Sequence, residues 1–257
     1  MGKSTQSGIC HICGSDGPLS FEHVPPKSAF NDKPIVWRMG KDALDNLPSA
    51  RGPIKRRGAG NYTLCPPCNN QTGSWYGSAY AKWAYQGMSL VECAKADPGL
   101  DHIFYIFRVF PLRVIKQIFC MFFSINQPSF SKASENLVRV VLNKEQKYKD
   151  RSLRVFAYLT PAPMARQSGI SGQLNLADGG MYMSSESAFP PFGYILAVDG
   201  KSPDNRLEEI SFFSEYSYDQ LAEVELRLPV FNLFTAFPGD FRSRDEVLTP
   251  RGAYRKT

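Results

Sequence analysis

The chain has 257 residues, of which 43% are hydrophobic, which is enough to build one large domain or two small ones around a real core and excludes a disordered chain. Its net charge of +6 is uneven: residues 1–154 hold 21 Lys and Arg against 11 Asp and Glu, whereas residues 155–257 hold 9 against 13. The basic first part predicts a surface that binds a polyanion, although such a surface can also be merely solvated.

The N-terminal residues MGKSTQSGIC lack the apolar segment of a secretory signal, and we expect an intracellular, cytoplasmic protein. Residues 8–68 are rich in Pro, Gly and Cys, which predicts short strands and loops. From position 69, aromatic and small residues recur at spacings of three and four, which predicts a helix that begins near Asn69 or Gln71. The DPG turn at residues 97–99 should end this helix. Its aromatic residues, expected to pack in the core rather than stack on bases, are Trp75, Tyr76, Tyr80 and Trp83.

Residues 101–152 are predicted to form a helical region, with helices from about 103 and from about 134 to 148. The most apolar stretch, residues 104–125, contains Arg108, Arg113 and Lys116, charges that make a membrane span costly, so no membrane partner is expected. After Pro111, polar residues recur every three or four positions, as on one stripe of an amphipathic helix that packs against a core.

Residues 153–257 contain short runs of β-branched and aromatic residues separated by turns, which predict a β-rich region. No motif in this region indicates a chemical role. We expect it to set specificity, to form a homo-oligomer, to bind a protein partner or to sense a signal. The predicted divisions of the chain are therefore residues 1–100, 101–152 and 153–257, in an α+β fold.

The six cysteines form two Cys-x-x-Cys pairs and two single residues. The pairs are Cys10 with Cys13 and Cys65 with Cys68. Either pair alone could be redox-active, but together they supply the four thiolates that structural Zn²⁺ needs, and zinc is favoured. The single residues, Cys93 and Cys120, lie in apolar helical stretches and are expected to be buried small hydrophobic residues.

A zinc ion bound by four cysteines has no open position for chemistry, so a reaction requires other residues nearby. Between the two pairs, an apolar run ends at Glu22 and His23, and Asn69 directly follows the second pair. A histidine with an ordinary pKa of about 6.5 can accept a proton at neutral pH. Glu22 and Asn69 offer oxygen atoms, which suit a hard cation such as Mg²⁺ or Mn²⁺. Singly, these residues could equally be a surface carboxylate, a structural histidine and a helix cap.

The ordered set of motifs resembles the HNH, or ββα-metal, endonucleases, in their zinc-stapled branch. The matching residues are Cys10-x-x-Cys13, Glu22-His23-Val24-Pro25-Pro26, Asn61 and Cys65-x-x-Cys68-Asn69. The resemblance covers roughly residues 8–90 and implies an N-terminal HNH module with a structural zinc ion within residues 1–100.

The resemblance also implies roles for individual residues. His23 would be the general base, Glu22 and Asn69 the ligands of a catalytic Mg²⁺ or Mn²⁺, and Asn61 the residue that orders the loop behind His23. Cleavage would leave a 5′-phosphate and a 3′-hydroxyl.

DNA, most simply double-stranded, is the predicted partner, because the segment between the two halves of the motif carries a basic cluster suited to phosphate contacts. The cluster consists of Arg51, Lys55, Arg56 and Arg57. Five later residues could extend this basic track: Lys144, Lys147, Lys149, Arg151 and Arg154. A solvated basic loop is the alternative.

The leading hypothesis is a metal-dependent DNA endonuclease, with restriction or antiphage defence suggested only by analogy. The alternative is a zinc-stapled module that binds DNA without cleaving it, or that is silent until a partner binds.

Overall fold

The structure is a computed structural model that describes residues 6–36, 52–97, 99–174 and 180–248. Its N-terminal part consists of short antiparallel strand pairs followed by a long helix. The strands are β1 (Ser7–Ile9), β2 (Asp16–Pro18), β3 (Ser20–His23), β4 (Ile35–Val36), β5 (Ile54–Lys55) and β6 (Gly60–Leu64). β1 pairs with β2, β3 with β6, and β4 with β5.

Helix α1 (Pro66–Ala96) begins a few residues before the predicted start. Pro66 and Pro67 occupy its first turn, where a backbone N–H has no partner within the helix and proline is well tolerated. The helix ends at Ala96, as the turn signal predicted. Its aromatic residues pack in the core as expected: Tyr76, Tyr80 and Trp83 are buried and Trp75 is partly buried.

The helix predicted from about residue 103 is wrong for its first part, because β7 (His102–Val109) is a strand. It pairs along its whole length with β13 (Ala222–Pro229), more than 100 residues away. Helix α2 (Pro111–Ile125) follows, and 13 of its 15 residues are buried. Its polar stripe therefore lies inside the protein: the Lys116 ammonium, for example, donates hydrogen bonds to the carbonyls of Asn143 and Lys144 at 2.6 and 2.8 Å.

The helix predicted over residues 134–148 is shorter than expected. A short helix, α3 (Ser129–Ala133), ends just before this stretch, and α4 (Glu135–Val141) occupies its first half. Among the helices of the described ranges, none is both long enough and apolar enough to cross a bilayer.

The β-rich C-terminal half is confirmed and contains a five-stranded antiparallel sheet with the order β12-β8-β11-β10-β9. Its strands are β8 (Leu153–Leu159), β9 (Arg166–Leu174), β10 (Met181–Phe189), β11 (Phe192–Val198) and β12 (Glu208–Glu209). A 3-10 helix (Ser211–Glu215) and α5 (Arg244–Leu248) complete the elements described.

One hydrophobic cluster runs through all three predicted divisions of the chain, from Cys10 to Val230. Helix α2 lies at its centre and packs against α1, the sheet and the 3-10 helix. Polar contacts fix α2 to the N-terminal strands: Thr63 and Ser124 share a hydrogen bond of 2.6 Å between their hydroxyls, and His11 Nδ1 lies 3.2 Å from the Phe123 carbonyl oxygen. The N-terminal strands and α1 therefore pack against the rest of the protein through a shared hydrophobic cluster and these polar contacts.

Candidate functional site

The four paired cysteines come together at the base of the N-terminal unit. Cys10 and Cys13 lie in the turn between β1 and β2, and Cys65 and Cys68 lie at the start of α1. Their four sulfurs are all within 4.8 Å of one another. The 3.8 Å between the sulfurs of Cys13 and Cys65 matches the separation of about 3.8 Å expected in a tetrahedral site with Zn–S bonds of about 2.3 Å. This cluster could bind a structural metal such as zinc.

The ionisation of the cluster also points to a cation. A hydrogen bond between the sulfurs lowers the pKa of Cys10 to about 4 and raises the pKa of Cys68, so without a metal the Cys10 thiolate keeps its neighbour Cys68 protonated. A metal ion would allow all four to be thiolates. Of the single cysteines, Cys120 is buried as predicted, but the prediction for Cys93 is wrong because this residue is exposed on α1.

The strand pair β3–β6 carries the Glu-His motif to the start of α1. Glu22 lies opposite Asn61, and His23 lies opposite Gly60. A side chain at Gly60 would collide with the Glu22 carbonyl, so glycine permits the close approach of the two strands at the motif. The His11 backbone N–H donates to the Thr63 carbonyl at 2.9 Å and fixes the first cysteine turn to β6.

Glu22, His23 and Asn69 line one open cleft of about 860 Å³. Asn69 donates two hydrogen bonds from Nδ2 to β3, one to Ser20 Oγ at 2.9 Å and one to the Phe21 carbonyl at 3.2 Å. Within the part of the chain that the structure describes, no hydrogen bond uses the Asn69 side-chain oxygen. The amide nitrogen thus anchors α1 to β3, and the amide oxygen is available to a ligand.

Glu22 is only 7% exposed. Among the described residues, no hydrogen-bond donor and no cationic side chain reaches its carboxylate. Burial raises the pKa of Glu22 to about 8, because an unpaired carboxylate in this environment has lost its hydration. Such a group requires either a proton or a cation.

His23 is half-buried beside Glu22, and its ring lies edge-on to Phe21 with the ring centroids 4.9 Å apart. Burial lowers the pKa of His23, and the positive charges of Lys27 and Arg57 act in the same direction, whereas a hydrogen bond to the Arg57 backbone opposes them. The net direction favours a neutral imidazole, which can accept a proton.

The loop after His23 is held by a residue that the sequence motifs did not indicate. Buried Asn31 donates from Nδ2 to the carbonyls of Pro25 and Ala59, both at 2.7 Å, and accepts from the Ala59 N–H at 2.7 Å. Asn61, predicted to order this loop, is exposed and its side-chain oxygen accepts a hydrogen bond from Lys55 at 3.1 Å. A buried asparagine between two backbone segments has no recognisable local pattern, because in the sequence Asn31 stands next to the ordinary polar residues Asp32 and Lys33.

Part of the predicted basic cluster lies next to the motif. Arg57 donates to the Tyr62 hydroxyl at 2.9 Å and lies over the Phe21 ring, and Arg56 is exposed. Lys55 is partly buried beside Asn61, and burial lowers its pKa. Arg51 lies outside the described residues.

Two further lysines, which the sequence motifs did not indicate, line the cleft itself. They are Lys27 in the loop after β3 and Lys82 on α1, and both are exposed. Between them, the wall of the cleft contains Gly73 and Gly77, where an added Cβ would meet no atom within 4 Å. The helix surface here leaves room for a bound molecule.

Of the five residues predicted to extend the basic track, three make contacts within the protein. The Lys144 ammonium lies over the rings of Trp75 and Tyr218, and Lys147 donates to the Glu215 carbonyl. Arg154 pairs with Glu209 and donates to the Gly200 carbonyl. Lys149 and Arg151 are exposed.

No protein-family model, curated protein or solved structure matches the chain. The resemblance to HNH endonucleases therefore receives no support from comparison with known proteins. The protein has a mixed α+β fold in which a cluster of four cysteines adjoins a strand pair and a helix whose polar residues line one cleft.

Proposed function

We propose that the protein is a metal-dependent DNA endonuclease whose active site is the cleft lined by Glu22, His23 and Asn69. The observation that carries the proposal is the convergence of these three residues, from a strand end and a helix start, on one cleft beside four clustered cysteines. A carboxylate, an imidazole and an amide oxygen are the groups that metal-dependent phosphodiester hydrolysis requires.

The residues fit a hard divalent cation. Glu22 presents a buried carboxylate and Asn69 a side-chain oxygen. Neither group accepts a hydrogen bond through these oxygens from the described residues. Oxygen ligands of this kind suit Mg²⁺ or Mn²⁺. When bound, such a cation would neutralise phosphate charge and stabilise the leaving oxygen.

His23 acts as the general base. Its neutral imidazole takes a proton from a water molecule in the cleft, and the resulting hydroxide attacks the phosphorus atom. The hydrogen bonds of Asn31 to Pro25 and Ala59 keep the loop after His23 in place during this step. The bond from phosphorus to the 3′-oxygen breaks, and the departing oxygen takes a proton from solvent water, which leaves a 5′-phosphate and a 3′-hydroxyl.

The cysteine cluster is proposed to hold zinc in a structural role. Four thiolates fill a tetrahedral coordination sphere and leave no open position for substrate. The ion would join the β1–β2 turn to the start of α1, and so would fix the helix from which Asn69 projects.

Basic residues around the cleft suit the phosphate backbone of DNA. Lys27, Lys82 and Arg57 surround the site, and Arg56 extends the charge outward. Contacts of this type attract and position nucleic acid without reading its sequence.

The direct test is cleavage of supercoiled plasmid by the purified protein in Mg²⁺ or Mn²⁺. We expect His23→Ala to lower the rate by about 100-fold or more, because it removes the general base. His102→Ala is the matched control: this histidine lies on β7, outside the cleft, and its replacement should leave the rate unchanged.

Two outcomes contradict the proposal. Full activity of a folded His23→Ala variant would exclude this residue as the base. DNA binding without cleavage in either metal would favour the alternative, a zinc-stapled binding module.

A further inference from the structure

We propose that Gln117 of helix α2 supplies a third protein oxygen to the divalent-cation site formed by Glu22 and Asn69. The inference rests on the proposed function for the existence of that site. It extends the site beyond the N-terminal unit, because α2 lies outside residues 8–90, the part of the chain that resembles HNH enzymes.

Gln117 is a polar side chain in an unusual position. It is 2% exposed, and its Oε1 atom is buried without a hydrogen-bond partner among the described residues. A buried acceptor without a donor is destabilising, and the neighbouring buried polar residues of α2, Lys116 and Ser124, both have hydrogen-bond partners, so the bare Gln117 oxygen calls for a compensating interaction.

Gln117 lies near the proposed cation ligands. It lines the same cleft as Glu22, His23 and Asn69. Cys120, about one helical turn further along the same face of α2, is close enough to Glu22 for an electrostatic interaction between them. Gln117 therefore lies on the side of α2 that borders the cleft containing Glu22.

Helix α2 is rigidly placed relative to the strands of the site. The Thr63 and Ser124 hydroxyls share a 2.6 Å hydrogen bond that joins β6 to the end of α2, and residues on both sides of Gln117 are buried in the core. A side chain on such a helix is held in position before any ligand binds, which reduces the entropy lost on binding.

The chemistry of the amide oxygen matches the same class of ion. Mg²⁺ and Mn²⁺ accept neutral carbonyl oxygens together with carboxylates, and an added neutral ligand strengthens binding without adding charge. Glu22, Asn69 and Gln117 would provide three protein oxygens from a strand and two helices, leaving the remaining positions to water and phosphate.

The test measures Mn²⁺ binding directly, by calorimetric titration of the purified protein in the absence of DNA. We expect Gln117→Leu, which keeps a similar volume but has no oxygen, to weaken Mn²⁺ binding by about tenfold, in line with the losses caused by removing groups that support a metal site. Gln117→Glu should tighten binding. Gln71→Leu is the control, because Gln71 is exposed on α1 outside the cleft and its replacement should not alter binding.

Unchanged Mn²⁺ affinity in a folded Gln117→Leu variant overturns the proposal, as does a wild-type protein that binds no Mn²⁺. If the leucine variant does not fold, Gln117→Glu decides: tighter binding supports the ligand role and unchanged binding overturns it. Plasmid cleavage is scored separately. If Gln117→Leu binds Mn²⁺ more weakly but the wild-type protein never cleaves DNA, the cation site is supported and the nuclease function is contradicted. If the wild-type protein cleaves DNA but Gln117→Leu binds Mn²⁺ normally, the nuclease function is supported and the ligand role of Gln117 is contradicted.

Discussion

At the scale of single residues, the candidate site contains polar groups that the fold buries without giving them hydrogen-bond donors. Glu22 and Gln117 are almost fully buried, and their oxygens have no donors among the described residues. Asn31 is equally buried but has all its hydrogen bonds satisfied by the backbone at Pro25 and Ala59. The contrast separates a residue whose hydrogen bonds hold a loop from the residues that we propose bind a cation.

Glu22 should make the stability of the metal-free protein depend on pH. Its folded pKa of about 8 lies above the ordinary value of 4.5, so between these two values the folded protein binds more protons than the unfolded chain. Stability from this group is therefore greatest below pH ~4.5 and falls by at most about 1.4 kcal/mol per pH unit until about pH 8.

Denaturant unfolding at several pH values, without added divalent cations, measures this effect. Glu22→Gln keeps the shape of the side chain and cannot titrate. The free energy of unfolding of this variant should therefore fall less between pH ~4.5 and 8 than that of the wild type. Asp32→Asn, at an exposed position of the same cleft, should follow the wild-type curve. Parallel curves for wild type and Glu22→Gln would show that the Glu22 carboxylate is not desolvated.

The sequence identified Glu22, His23 and Asn69 because they stand at fixed distances from two cysteine pairs, and a local spacing is visible in one chain. Asn31 and Gln117 were not identifiable in this way. The Asn31 hydrogen bonds span up to 28 residues, and Gln117 comes from a helix whose polar residues indicate only an amphipathic helix packed against a core. Both depend on tertiary packing, which a periodic pattern does not encode.

At the scale of secondary-structure elements, two short strand pairs and one long helix are too small to hold themselves together by burial alone. β1–β2 and β3–β6 are two-stranded pairs, and such pairs are marginally stable in water. The cysteine cluster joins the first hairpin to the start of α1, where Asn69 also binds β3. Metal binding at this junction should therefore contribute directly to folding.

Replacing one cysteine of the cluster should remove the metal and destabilise the protein. We expect Cys65→Ser to lose bound zinc and to lower the free energy of unfolding by several kcal/mol, because the binding free energy of a structural zinc is folding free energy. Cys93→Ser is the matched control, since Cys93 is exposed on the same helix. Elemental analysis and thermal unfolding provide the measurements, and stoichiometric zinc in folded Cys65→Ser would contradict a four-cysteine site.

The elements were predicted unequally well for a physical reason. α1 has a strong helical spacing, and its start differed by a few residues because Pro66 and Pro67 are compatible with a first turn. The continuous apolar run of β7 has no clear period, so its sequence does not distinguish a strand from a helix. Its strand conformation is explained by pairing with β13, a partner more than 100 residues away that local sequence does not reveal.

At the scale of the whole molecule, the C-terminal half supports the site by contacts that reach it directly. Gln167 on β9 donates from Nε2 to the Val24 carbonyl at 2.7 Å, immediately after His23. The main hydrophobic cluster is continuous from the cysteine turn to β13. This cluster contains residues from all three predicted regions of the chain.

The sheet itself contains a buried ion pair that fixes the segment after β13. Arg166 and Glu186 are 2.6 Å apart and almost fully buried. Glu186 also accepts hydrogen bonds from the Tyr158 hydroxyl at 2.6 Å and the Gly239 N–H at 2.8 Å, while Arg166 donates to the carbonyls of Phe237 and Asp240. Removing one charge of such a pair leaves the other buried and unpaired.

Glu186→Gln tests whether this distant pair and the cysteine cluster belong to one cooperative unit. We expect the substitution to destabilise the protein by about 3 kcal/mol, because the Arg166 guanidinium loses its counter-charge in a buried position. Since one core joins the sheet to the N-terminal unit, release of zinc to a colorimetric chelator and loss of the circular-dichroism signal should shift together to lower temperature. Glu225→Gln, on the exposed face of β13, should move neither transition. If zinc release kept its wild-type midpoint while the sheet unfolded early, the N-terminal unit would be folding independently, and the contacts of α2 and Gln167 with the site would be too weak to control it.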